Sequence, residues 1–427
     1  MSKKIAFKTL GCRLNQYETD SLVSQFIENG YQIVEFDEKA DAYIVNTCTV
    51  TNQGDKRSRY AFNNVIKRNI DAKLIVTGCM ATQYKDKLED EKAINFVVDN
   101  NHKANIFDLL DSYFKGESFA LNEDERSVFS FLPAKDTFHT RSMIKVQDGC
   151  DNFCTYCIVP KVRGRAISRP INDIILNINQ VLDFGFKEIV LTGVNITRYD
   201  YNGLSFHDLI EKIVEIPRDF RLRISSVEPE GFTPKLFELL QHTKVAPHLH
   251  LCLQSGSDKI LLQMRRFYTL AQFKGIVQKI REKRPDFNFT TDIIVGFPSE
   301  SDKDFEETLQ AIEEIGFSHI HTFKYSKRNH TRAARMPEQT DEKLKTSRSE
   351  QVRVLGELKK RNYRASFIGK TQSVLVEKFQ KKVASGYGEN YIPIKFTANE
   401  VAENEFYNVR IIGIESGEDP NLLAELI

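Results

Sequence analysis

Short apolar runs and stretches of helical spacing alternate along most of this chain, and the final part changes to strands alone. Over residues 1–115 the runs KIAFKTL, ADAYIVNT and AKLIVTG are separated by ETDSLVSQFIENG and SRYAFNNVIKRN. Those longer stretches repeat their apolar positions at helical spacing, and Gly30 reads as a helix stop. Strand and helix in alternation predict an N-terminal doubly wound parallel sheet. Residues 116–140 lose the periodicity and predict a linker. Between 141 and 362 six further strand candidates follow, MIKVQDG, KEIVLTGVN, RLRISSVEP, HLHLCLQSG, FTTDIIVGFP and HIHTFKYS, with helix-length stretches between most of them. They predict an incomplete (β/α)6 barrel, whose functional groups belong at the strand ends. After the fifth strand, Ser301 with Asp304 reads as a capping box and Gly316 as the end of that helix. Residues 363–427 carry partial alternation in QSVLVEKF, YIPIKFT and FYNVRIIGIE, which predicts a small β-barrel. The fold class is α/β in three units.

Composition adds limits. The 427 residues are too many for one ordinary domain, and 41% hydrophobic with 28% charged content is that of a water-soluble chain. No apolar run approaches the roughly 20 residues of a membrane span. The start, MSKKIAFKTLGC, passes from a basic tag into a strand without a leader pattern, so a cytoplasmic location is expected. A net charge of +1 gives no global field, yet residues 321–364 hold thirteen Lys/Arg against five Asp/Glu. IVPKVRGRAISR has four basic residues and no acid. Either cluster alone is accounted for by a solvated face; both together suit a polyanionic partner.

The seven cysteines change the picture most. An odd number in a reducing compartment argues against a disulfide framework and for metal binding. Cys12, Cys48 and Cys79 each end one of the first three strands. Open α/β sheets bind ligands beyond their strand ends, so these three should converge. A lone cysteine is often just a small buried hydrophobe, but repetition at one position of three units favours a metal site. In GCDNFCTYC, after the first barrel strand, Cys150, Cys154 and Cys157 stand at C-x-x-x-C-x-x-C spacing. Structural zinc wants four ligands, and no histidine lies closer in sequence than His139. A 4Fe–4S cluster fits better: three irons take cysteine and the fourth stays open to a ligand. If that ligand is S-adenosylmethionine, one electron cleaves it to a 5′-deoxyadenosyl radical, with Phe153 and Tyr156 screening the cluster. Cys252 has no such support and reads as structural. In HLHLCLQSG the leucines share one face, while His248, His250, Cys252 and Gln254 share the other and should face the barrel lumen.

The Cys150, Cys154, Cys157 loop resembles the signature of the radical S-adenosylmethionine superfamily. With the Cys12, Cys48 and Cys79 domain before it, the whole chain is similar to the methylthiotransferases, and its last segment resembles their TRAM domain. KTLGCRLNQYETD and QDGCDNFCTYCIVPKVRGR look most like the type acting on N6-threonylcarbamoyladenosine in transfer RNA. HLHLCLQSGSDKILLQMRR and TTDIIVGFPSESDKDFEET also match family blocks. Departures are Cys252, Lys324 and Arg332, where prolines are more usual, and Ser299, where glycine is.

The resemblance implies two 4Fe–4S clusters, an auxiliary one on Cys12, Cys48 and Cys79 and a radical-generating one on Cys150, Cys154 and Cys157. It implies S-adenosylmethionine as cofactor, a transfer RNA with a threonylcarbamoyladenosine anticodon loop as substrate, a flavodoxin- or ferredoxin-like electron donor, and no membrane. One S-adenosylmethionine would methylate a sulfur at the auxiliary cluster; a second would supply the radical that takes hydrogen from carbon 2 of the adenine. Gly193, Asn195, Ser226, Glu228 and Gln254 are then expected to line the S-adenosylmethionine pocket, and Lys161, Arg163 and Arg165 to contact RNA phosphates. Two alternatives stay open: an isopentenyladenosine or ribosomal-protein aspartate acceptor, and a non-catalytic metal-containing RNA-binding protein.

Overall fold

The computed structural model describes residues 2–120, 126–135 and 140–427. The linker expected over 116–140 therefore lies partly, at 121–125 and 136–139, outside the described residues, and His139 with it.

Strands β1 (Lys4–Thr9), β2 (Gln32–Val34), β3 (Ala42–Thr47), β4 (Lys73–Gly78) and β5 (Phe96–Val98) form one parallel sheet in the order β2-β1-β3-β4-β5. Every residue of β3 is buried, as a sheet covered on both faces requires. Helix α1 (Arg13–Glu28) covers one face with Tyr17, Leu22 and Phe26. Phe26 is fully buried, its ring 5.0 Å from that of Phe107, and such burial contributes about 2–3 kcal/mol. Helix α2 (Asn52–Arg68) covers the other face with Phe62 and Val65.

Both helices begin earlier than their apolar spacing indicates. Their first turns, RLNQ and NQGDKR, are polar; the start of α2 is set by capping, with Thr51 Oγ1 accepting a bond from Gly54 N at 3.0 Å, whereas Cys12 stands at the N-cap position of α1 without a side-chain capping bond. Asn29 rather than Gly30 caps the far end of α1; Gly30 follows in the left-handed conformation, φ +82°.

Strands β6 (Ser142–Lys145), β7 (Glu188–Thr192) and β8 (Arg221–Ile224) are parallel neighbours. Ser226–Val227 continues β8 and pairs with β9 (His248–Leu251), which pairs with β10 (Asn288–Val295) and then β11 (His319–Lys324), all parallel. The sheet is thus bent at Ser225 into an open barrel. Leu249, Leu251 and Leu253 pack into the core beneath the helices, while His248 and His250 face the lumen. The helix Asp302–Ile315 carries the capping box between Ser301 and Asp304 and stops at Gly316, φ +67°. Ser299, just before it, sits at φ +65°, a conformation that glycine adopts without strain.

Helix Glu342–Ala365 leads to five strands, β12 (Thr371–Gln380), β13 (Val383–Gly388), β14 (Pro393–Thr397), β15 (Phe406–Ile414) and β16 (Leu422–Leu426), closed in the order β12-β13-β14-β16-β15. Two of them, VASGYG and LLAEL, lie outside the three alternating runs of the sequence. A side chain at Gly386 would put Cβ 1.9 Å from the Leu375 carbonyl oxygen, so the β12–β13 crossing needs glycine. This barrel is tied to the larger one by Arg223, which donates to the carbonyls of Gly388 and Glu389 at 3.2 and 3.1 Å.

Candidate active site

Cys12, Cys48 and Cys79 follow β1, β3 and β4, three adjacent strands, and so meet on one sheet edge. Glycines allow the approach. Gly11 is at φ +98°, and a Cβ on it would lie 2.9 Å from Cys48 Cβ. Ser58 pins the turn, accepting from Cys48 N at 3.2 Å and donating to its carbonyl at 3.0 Å. Asn100 Nδ2 donates to Cys79 Sγ at 3.6 Å and to Val162 O at 2.8 Å, joining this edge to the second cysteine loop. Burial pushes the Cys48 thiol up to about 11; the Val50 N–H opposes this, and Cys79 and Cys12 add to it.

The second trio sits in the loop after β6, spanning Cys150 to Cys157. Backbone N–H groups of Asn152 and Val159 point at Cys150 Sγ and Cys157 Sγ, at 3.5 and 3.4 Å, and Arg266 Nη1 donates to Cys154 Sγ at 3.3 Å. Burial pushes Cys157 up to about 12, and the charge of Cys154 adds to it. Gly149, φ +68°, has no room for a side chain: a Cβ there would be 2.1 Å from Arg165 O. Phe153 takes φ +49° inside the loop and carries the Arg165 guanidinium 5.3 Å from its ring. Tyr156 packs edge-on against Phe297.

The donor sets suit a cluster better than a single ion. Tetrahedral zinc with bonds of about 2.3 Å would draw sulfurs to about 3.8 Å of one another. Among the described residues, the group of metal-ligating side chains contracted to within 4.8 Å is a different one, His250, Cys252 and Asp292. Neighbouring polar atoms are also unspent: Ser225 Oγ and both carboxylate oxygens of Glu230 are buried without hydrogen-bond partners. A polar ligand with amino and carboxyl groups would satisfy them.

The expected pocket residues do not all play one part. Gly193 and Ser226 line the cavity in the lumen. Asn195 is buried, and its amide opposes the upward push of burial on the Cys150 thiol. Glu228 is ion-paired with Arg266. Gln254, at φ +67°, bonds to β10 through its backbone, its N–H to Asp292 O at 2.8 Å and its carbonyl to Ile294 N at 2.9 Å. Glu230 and Arg266 were missed by sequence reasoning; the repeat of acidic residues in VEPEG was the available signal for the first.

Arg163 corrects an expectation. It is not a surface contact for phosphate: it is 4% exposed, and Nη1 lies 3.0 Å from both Glu18 Oε1 and Asp148 Oδ2 while Nη2 donates to Asn15 Oδ1 at 2.7 Å. Lys103 and Lys145 join the same buried network. Burial alone would raise Glu18, but Arg163, Lys103 and Lys145 hold its carboxyl well below the usual range. Lys161 and Arg165 are exposed.

One cavity of about 700 Å³ connects the two halves. Cys12 and Arg13 line it from the first domain, Gly193, Ser226 and His250 from the large barrel, and Tyr391 from the small one.

Residues 4–99 match the uncharacterized protein family UPF0004, and residues 144–312 the radical SAM superfamily. The chain is 37% identical to a threonylcarbamoyladenosine tRNA methylthiotransferase MtaB of Thermotoga maritima, covering 96% of this chain and 94% of that one. The Bacillus subtilis protein of the same name is 35% identical, over 96% and 93%. A tRNA-2-methylthio-N(6)-dimethylallyladenosine synthase of Methylobacillus flagellatus is 31% identical, over 96% and 97%. Among solved structures, the radical S-adenosylmethionine methyltransferase TsrM of Kitasatospora setae shares the fold with a TM-score of 0.55 at 14% identity, over 78% of this chain and 77% of that one.

Proposed function

The chain belongs to the radical S-adenosylmethionine tRNA methylthiotransferases, and from that premise we propose that it converts N6-threonylcarbamoyladenosine beside the anticodon to its 2-methylthio derivative. The observation that supports this reading is the shared cavity: Cys12, from the first cysteine edge, and Gly193 with Ser226, from the barrel that carries the second cysteine loop, line one space. Its cofactors are two 4Fe–4S clusters and S-adenosylmethionine. Cys150, Cys154 and Cys157 would hold one cluster, and Cys12, Cys48 and Cys79 the other. When bound, these groups would supply a 5′-deoxyadenosyl radical at the Cys150, Cys154, Cys157 site and a methylated sulfur at the Cys12, Cys48, Cys79 site.

The chain's own residues provide positions and exclude water. Ser225 and Glu230 offer unspent polar atoms to S-adenosylmethionine, Gly193 and Ser226 line the cavity, and Asn195, Glu228 and Gln254 would complete its contacts. Arg266 binds Cys154 and Glu228 together, fixing the loop against the pocket. Lys161 and Arg165, on the exposed side of the same loop, are placed to meet RNA phosphates, and an unpaired anticodon base is accessible to such a cavity. The division into an auxiliary-cluster domain to about 115, a linker to 140, a radical core to 362 and a TRAM-like domain follows the family reading. The substrate is transfer RNA. The electron donor would be a flavodoxin- or ferredoxin-like protein, and the location cytoplasmic; among the described residues no helix is long and apolar enough to cross a membrane.

The test is mass spectrometry of tRNA nucleosides from a strain lacking this chain, complemented with wild type or Cys154→Ala. Restoration of 2-methylthio-threonylcarbamoyladenosine by wild type alone is the expected result. An unchanged nucleoside in the deletion strain would overturn the substrate; restoration by Cys154→Ala would overturn the radical chemistry.

A further inference from the structure

The charges around the cavity do not cancel. Arg223 spends its guanidinium on Glu188, with bonds of 2.7 and 2.9 Å, and Arg364 bonds Asp419 at 2.7 Å. Asp292 faces His250, 3.3 Å away. Desolvation holds His248, His319 and His321 below the ordinary imidazole range, so they add no positive charge near neutrality. Two guanidiniums are left with capacity. Arg13, the first residue of α1, has no carboxylate partner among the described residues; its polar contact is the Tyr391 hydroxyl at 3.5 Å. Arg141 gives Nη2 to Glu377 at 2.5 Å and holds Nε 3.8 Å from Glu188 Oε1, so its charge is paired, but its buried Nη1 has no hydrogen-bond partner. His248, 2% exposed on the same wall, likewise keeps Nδ1 unbonded.

Tyr391 organises this end of the cavity. It comes from the small barrel, stands at φ +60°, stacks on Tyr387 at 4.8 Å and meets the His248 ring at 4.9 Å. The guanidiniums of Arg13, Arg141 and Arg223 surround its ring at 5.6, 5.3 and 4.7 Å. A left-handed tyrosine costs strain that persists where the surroundings over-determine it. Stacking on a ring fixes a guanidinium plane, and a fixed plane with free N–H groups is the arrangement that takes a carboxylate in two parallel bonds.

We propose that this end of the cavity is a subsite for a carboxylate carried on the substituent of the substrate base, with Arg13 and the free Nη1 of Arg141 as donors and Tyr391 as their support. The inference rests on the tRNA methylthiotransferase reading and deepens it. A threonylcarbamoyl substituent ends in a carboxylate; a dimethylallyl substituent carries no charge and would leave Arg13 unpaired. The small barrel thereby becomes part of the specificity site as well as an appended domain.

The experiment measures binding of synthetic anticodon stem-loops to the cluster-loaded enzyme by fluorescence anisotropy. Three loops differ only at the reacting adenosine: threonylcarbamoylated, the same group as its methyl ester, and unmodified. Wild type should prefer the free acid over the ester by about 10- to 100-fold, the value of a charge-assisted pair. Arg13→Gln should lose most of that preference and Arg13→Lys keep part of it, each read as the ratio of acid to ester binding in the same variant. If wild type does not distinguish the threonylcarbamoylated loop from the unmodified one, the substrate reading falls and the subsite with it. If wild type prefers the modified loop but binds acid and ester alike, or if Arg13→Gln keeps the preference for the acid, the subsite alone is overturned.

Discussion

Arg163, in the turn after the second cysteine trio, places Nη1 3.0 Å from Glu18 Oε1, on the helix that begins at the first trio. The two side chains are 2% and 1% exposed. Around them Lys103, Lys145 and Asp148 complete a buried set of three cations and two anions. The pair therefore locks the two cysteine sites into one frame. Removing one partner of a buried pair leaves charge without compensation, and Glu18→Ala would leave three cations facing Asp148 alone. The variant should lose about 3–5 kcal/mol in urea unfolding. A loss below about 1 kcal/mol would mean that water enters and replaces the carboxylate.

Gly78 is the second fixed point. It stands at φ +95°, and a Cβ there would lie 2.4 Å from the Thr47 carbonyl oxygen and 2.7 Å from Asn46 Oδ1. Gly78→Ala must move β4 away from β3, carrying Cys79 with it. A loss of at least ~2 kcal/mol is expected. Iron bound at the first site should fall with it, measured against a Cys154→Ala background that isolates that site. Gly30→Ala is the control: φ is +82°, but nothing lies within 4 Å, so the cost should stay near ~1 kcal/mol with iron unchanged.

Periodicity made the strands legible, and with them the convergence of Cys12, Cys48 and Cys79, because a parallel sheet dictates where its strand ends go. It did not reveal that helices start at or just after those cysteines, since capping turns are polar. Arg163 misled because VPKVRGR looks like a basic surface stretch; its partner Glu18 is 145 positions away, and burial of a charge is decided by such a partner. Arg13 and Tyr391 meet across 378 positions, which no local pattern encodes. Ser299 shows the opposite case: a position where family resemblance favours glycine takes φ +65°, so the departure marks a locally strained turn. Gly-rich β13 and short β16 became strands only through barrel closure, which supplies hydrogen bonds that their sequences do not advertise.

Asp20 gives a pH signature. It is 5% exposed on α1, and burial raises its carboxyl to about 7. The folded pKa thus lies above the unfolded value of about 3.9, so the folded chain holds more protons than the unfolded one between about pH 4 and pH 7. Stability from this group is fully present below pH 4, declines as pH rises through 7, and is flat above. A shift of about three units corresponds to roughly 4 kcal/mol at most. Asp20→Asn should therefore raise stability at pH 8 and flatten the decline between pH 4 and pH 7 in denaturant melts. An unchanged slope would show that the carboxylate finds a partner or water in the folded state.

Cys252 separates a structural thiol from cluster ligands. It is 7% exposed, its N–H donates to Val227 O at 3.2 Å, and its carbonyl accepts from the Tyr268 hydroxyl at 2.8 Å. Burial pushes its thiol well above the usual range, and the charges of Asp292, Glu230 and Cys154 push it further. It should thus stay protonated and inert to iodoacetamide at pH 8 in the folded iron-free chain, whereas exposed Cys12 is alkylated. Cys252→Ala should cost about 1 kcal/mol and leave the iron content at the wild-type level, while Cys154→Ala loses the iron of one site. Peptide mass spectrometry and iron analysis on the same preparations read both outcomes. Loss of iron in Cys252→Ala would place this residue, with His250 and Asp292, among the metal ligands.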